Sequence, residues 1–136
     1  MDNRRINEEY TAIGMELINT EPDLAYIKNS EASIIFLESD SEKSKGGNFI
    51  LGQCEKVQSK HKWAIPCDFT ITVFTPNIQG FTDEQIRVLL FHELLHVGIE
   101  KKSDNTEMYF INPHDLEDFR LIINKFGANW DSRARC

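Results

Sequence analysis

A chain of 136 residues with 40% hydrophobic and 27% charged positions can bury one core without staples, and it has the mixture of a soluble globular domain. Its net charge of −7, with only short basic runs at Arg4-Arg5, Lys60 to Lys62 and Lys101-Lys102, excludes a dedicated phosphate-binding face. Cys54, Cys67 and Cys136 form no C-x-x-C pair, which excludes a disulfide framework and a cysteine zinc site and favours a reducing compartment. No apolar run reaches the roughly 18 residues of a membrane span. The charged start "MDNRRINEEY" lacks the apolar segment of a signal peptide. The expectation is a single domain over residues 1–136, cytoplasmic, with no membrane partner.

From the N-terminus, "NEEYTAIGMELIN" places Tyr10, Ile13, Leu17 and Ile18 at helical spacing, and Pro22 closes that helix. "SIIFLES" from Ser33 is a short apolar run with the isoleucines of a strand. "SDSEKSKGGN" is a polar loop with two glycines. "FILGQCEKV" and "FTITVF" are further strands, rich in β-branched and aromatic residues. The pattern then changes. Thr82 followed by Gln85 forms a capping box, which predicts a helix from Asp83 to about Val97 with Gly98 as its stop. "EMYFI" predicts a short strand. "NPHDLEDFRLIINKFG" predicts a last helix, with Asn112 as N-cap, Pro113 at the first position and Gly127 as the stop. The order implies an α+β fold, a small sheet covered by helices.

The chemistry is concentrated in "FHELLHVGIE". On a helix, His92 and His96 are one turn apart on one face, as two ligands of one tetrahedral zinc must be. Glu93 is about 100° round from His92 and can reach a water at the metal without being a ligand. Zinc lowers the pKa of that water, and the glutamate takes its proton as attack on a carbonyl begins. His92-Glu93-Leu94-Leu95-His96 is the H-E-x-x-H pattern of zinc metalloproteases. The plainer alternative is a core that tolerates three satisfied polar groups. Apolar residues from Ile86 to Val97 surround the motif, however, and burying two imidazoles and a carboxylate there without strong partners costs several kcal/mol. A metal supplies such a partner.

A catalytic zinc takes a third protein ligand. The extended H-E-x-x-H-x-x-G-x-x-H pattern fails, because Ile99 stands in the glycine position and Lys102 in that of the third histidine. Downstream, His114 at the start of the last helix is preferred, with Glu117 and, more weakly, Glu107 as alternatives. Asp115 or Asp118 could orient a liganding His114. His61, in "SKHKW", is an ordinary surface histidine. For the oxyanion the sequence offers Tyr109 and Arg120 without choosing between them.

Taken together, "GGNFILGQCEKV", "PCDFTITVF", "LLFHELLHV", "PHDLEDF" and "KFGANW" resemble the phage metallopeptidases, a branch of the SprT-like zincins, from about Glu8 to Trp130. The resemblance implies a compact zincin-like fold, His92, His96 and His114 as zinc ligands, Glu93 as general base, and a phage or prophage origin. Many SprT-like proteins act in DNA-associated proteolysis with a cysteine-rich ribbon or DNA-binding tail. This acidic chain shows no such ribbon. The expected function is peptide-bond hydrolysis with Zn2+ on a protein or peptide substrate, with no strong nucleic-acid signal. The competing expectation is a zinc-stabilised, non-catalytic module that captures a host protein by adding a peptide strand to a sheet edge.

Overall fold

The computed structural model describes residues 3–58 and 67–113. Within them a short strand β1 (Arg4–Ile6) leads into helix α1 (Glu8–Thr20), whose N-terminus is capped by Asn7 accepting from the Tyr10 amide. Pro22 opens a single 3-10 turn, Pro22–Leu24, followed by the short helix α2 (Ala25–Lys28). Strand β2 (Ile34–Ser39) comes next, then a small hairpin of β3 (Ser44–Lys45) and β4 (Asn48–Phe49). Its turn is Gly46-Gly47, with φ of 59° and 81°, the left-handed backbone that a two-residue hairpin of this hand demands. The segment expected as a plain loop thus contains a tight hairpin.

Strands β5 (Gly52–Lys56) and β6 (Phe69–Phe74) complete a four-stranded sheet of order β1-β2-β6-β5. β2 and β6 run parallel; the other two pairings are antiparallel. All six residues of β6 are buried, as befits a central strand covered on both faces. Phe69, Ile71 and Val73 join Phe36 of β2 and Leu17 and Ile18 of α1 in the main core. On the opposite face Arg4 reaches across to the Thr72 hydroxyl (3.2 Å) and the Glu55 carboxylate (2.9 Å). Arg4 and Lys43 both lie over the Phe74 ring, at 5.7 and 5.5 Å from its centroid.

Helix α3 (Asp83–Leu94) starts with the predicted reciprocal cap between Thr82 and Gln85. Val88, Leu89, Leu90, Phe91 and Leu94 are all buried, so the helix is enclosed on nearly every side, and Arg87 ties it to Glu16 of α1 at 3.0 Å. Its end differs from the expectation. Helix geometry stops at Leu94, with Leu95 as C-cap, and Val97 opens strand β7 (Val97–Lys101) instead of closing the helix. β7 pairs antiparallel with β8 (Glu107–Ile111), the predicted "EMYFI" strand. Gly98 is a strand residue facing Phe110, not a helix stop. A Cβ at Gly98 would stand 2.4 Å from the Phe110 ring, so the glycine is there to admit that ring. The result is the expected α+β class. The predicted last helix lies outside the described residues. Among the described residues no helix is long and apolar enough to cross a membrane.

Candidate active site

His92 stands in the final turn of α3, and His96 stands just past the C-cap, on the step into β7. The chain keeps turning between them: the Leu95 amide donates to the Phe91 carbonyl and the His96 amide to the Glu93 carbonyl, both at 3.1 Å. The two imidazoles therefore still meet, although one has left the helix. Their ring centroids are 5.5 Å apart and their planes 82° apart. Two imidazoles sharing a tetrahedral zinc, at Zn–N of about 2.1 Å, have centroids about 5 Å apart. The pair fits a shared ion.

The orientation of His96 is fixed from behind. Its Nδ1 is 2.7 Å from the carbonyl oxygen of Asn112, and a carbonyl only accepts, so Nδ1 carries the proton. Nε2 is then the ring nitrogen that carries the lone pair, the arrangement in which a backbone acceptor sets the tautomer of a metal-binding histidine. In return the Asn112 amide donates to the His96 carbonyl at 2.7 Å, extending the β7–β8 ladder by one pair beyond Val97 and Ile111. The Tyr26 hydroxyl of α2 donates to the Val97 carbonyl at 2.6 Å and pins the same junction from the other side. Sequence reasoning missed both supports: it took Asn112 as a helix cap and had no reason to single out Tyr26.

Glu93 is buried, 5% exposed. Loss of hydration pushes its carboxyl up from 4.5 to about 8. Its neighbour is β5: a Cβ placed on Gly52 would stand 3.2 Å from the Glu93 Cγ and 3.3 Å from Oε2. Two residues on, Cys54 turns to the same face of β5. Burial and then the Glu93 charge push the Cys54 thiol up, so it stays a protonated, unreactive packing group.

Of the third-ligand candidates, His114 and Glu117 lie outside the described residues, as do His61 and Arg120. Glu107 is described, and it is placed away from the histidines. It pairs with Lys101 at the far end of the hairpin, four residues from Ile111. Its carboxylate accepts from the Glu31 amide (3.1 Å) and the Tyr109 hydroxyl (2.7 Å). The same bond turns the Tyr109 hydroxyl toward Glu107, while its ring packs edge-on to Phe69. Among the described residues no group of three His, Cys, Asp or Glu side chains is close enough to hold a metal ion. The structure brings the His92 and His96 rings together, seats the Glu93 side chain against β5, and places Glu107 elsewhere.

Two imidazoles that face each other at the end of a buried helix and on the step beyond it are groups of the kind that can hold a metal ion. The chain belongs to the family described as "Putative phage metallopeptidase", which it matches over residues 4–135. The family name implies a peptidase that uses a metal. No curated protein and no solved structure matches the chain.

Proposed function

We propose that the protein is a zinc-dependent metallopeptidase, phage or prophage encoded and acting in the host cytosol, that hydrolyses peptide bonds in a protein or peptide substrate. The observation that carries this reading is the facing pair of His92 and His96 rings, with the buried Glu93 next in sequence to His92, in a chain whose family is named for metal-dependent proteolysis. His92 and His96 would hold the ion through their ring nitrogens, His96 through Nε2. His114 is the preferred third ligand. Asn112, whose carbonyl orients His96, precedes it by only two residues, and two residues of chain span about 7 Å at most. A zinc ion held there supplies a Lewis acid that acidifies water and polarises the scissile carbonyl.

Glu93 then acts as the general base. In the metal-free protein burial raises its proton affinity above that of an exposed glutamate, and a cation held nearby would favour the ionised form that accepts the proton. It takes the proton from the attacking water and returns it to the leaving amine nitrogen. β5 supports a peptide substrate. It is the last strand in the sheet order, and Leu51 and Val57 bond to β6 through Leu51 O to Phe74 N and Val57 N to Asp68 O. By antiparallel alternation, Gly52, Cys54 and Lys56 turn their backbone N–H and C=O groups away from β6. An extended peptide added there would lie beside the strand whose Gly52 packs against Glu93.

Glu93→Gln is the test. The variant is expected to keep its metal and its fold and to lose at least about a hundredfold in kcat against a peptide library. Full activity in that variant would refute the mechanism. The second reading, a non-catalytic module that captures a host protein on β5, predicts that wild type binds zinc yet leaves the library uncut.

A further inference from the structure

We propose that Gly52 is a positioning residue for Glu93: having no side chain, it lets the edge strand of the sheet come close enough to seat the carboxylate. The inference rests on Glu93 being the general base. Backbone conformation does not explain a glycine at this position. The described glycines with positive φ are Gly46, Gly47 and Gly80, so Gly52 has a backbone that any residue can adopt. What the position lacks is room. The three atoms nearest to a Cβ there would be Glu93 Cγ at 3.2 Å, Glu93 Oε2 at 3.3 Å and the Thr72 carbonyl oxygen at 3.3 Å.

Of these, only Glu93 can yield. Thr72 is in the central strand β6, held by β2 on one side and β5 on the other. β5 cannot back away without breaking its register with β6, where Gly52 faces Val73 and Gln53 faces Thr72. A methyl group on Gly52 therefore displaces the Glu93 side chain by a few tenths of an ångström, within a pocket that leaves it 5% exposed. A base displaced from its proton path loses rate steeply, about a hundredfold for roughly 1 Å. The two histidines, at the end of α3 and on the step beyond it, belong to other elements than β5 and keep their positions.

The test combines kinetics with a double-mutant cycle. Gly52→Ala is expected to lower kcat about tenfold, by more than it changes KM, with zinc per chain unchanged. In metal-free protein, Gly52→Ala should lower the Tm of wild type by a few degrees, yet leave the Tm of Glu93→Ala nearly unchanged, because the colliding side chain is gone. If Gly52→Ala alone does not fold, recovery of the fold in the Gly52→Ala, Glu93→Ala double variant supports the proposal equally. Equal Tm losses in both backgrounds, or parallel loss of zinc and activity, would overturn it and leave Gly52 a structural residue. Full activity in Gly52→Ala would also overturn it, with the general-base reading untouched. Full activity in Glu93→Gln instead removes that reading, and this inference with it.

Discussion

At the residue scale, Glu93 couples function to stability. In the metal-free protein its carboxyl titrates near 8, against 4.5 when hydrated, because burial opposes the charge. The folded state thus keeps a proton that the unfolded state has lost between about pH 4.5 and about pH 8. Stability from this group is fully present below that window and declines as pH rises through it. Urea unfolding of metal-free wild type should show its midpoint falling from about pH 5 to about pH 8 relative to Glu93→Gln, whose amide does not titrate. Parallel curves would mean that the carboxylate is better solvated than its burial indicates. The motif itself was legible from spacing alone, because i and i+4 residues meet on any helix. The seat of Glu93 against Gly52 was not, since 41 positions separate them and no local pattern encodes a tertiary approach.

Among the elements, sequence periodicity placed α1, β2, β5, β6 and β8 and the start of α3 close to their observed bounds. These segments carry strong local signals: the Asn7 and Thr82 caps, Pro22, and runs of β-branched residues. The end of α3 carried a misleading one. Leu95, His96 and Val97 continue an apolar helical pattern, and a glycine follows where helices often stop. The competing signal, pairing of Val97 with Ile111, comes from a strand that begins ten residues later, and it wins because it satisfies the backbone of both segments. Gly98 shows the cost of that solution. A Cβ would stand 2.7 Å from the Phe110 carbonyl oxygen as well as against its ring. Gly98→Ala is therefore expected to destabilise the protein by about 1–3 kcal/mol, read as a lower urea midpoint with unchanged slope. A neutral effect would show that β7 and β8 part without loss.

For the molecule as a whole, metal content decides between the readings of the site. Wild type purified without chelators should hold about one zinc per chain by elemental analysis, and His114→Ala markedly less. Zinc retained in His114→Ala would transfer the third position to Glu117, because Glu107 is held by Glu31 and Tyr109 at the other end of its hairpin. Absence of zinc from both would return the trio to the core and end the peptidase reading.

The parallel pairing of β2 with β6 joins segments 35 positions apart, Ile34 facing Phe69. Such closures form slowly, because the intervening chain must be ordered before any contact rewards it. His92 and His96, by contrast, are brought together by one turn of chain. The two halves of the site thus belong to different stages of folding. The imidazole pair can assemble while the sheet is still open, whereas Glu93 has its seat only after β5 has docked on a completed β6. On the proposed function, metal occupancy and catalytic competence would then be separate events in the life of this chain, and a molecule could have the first without the second.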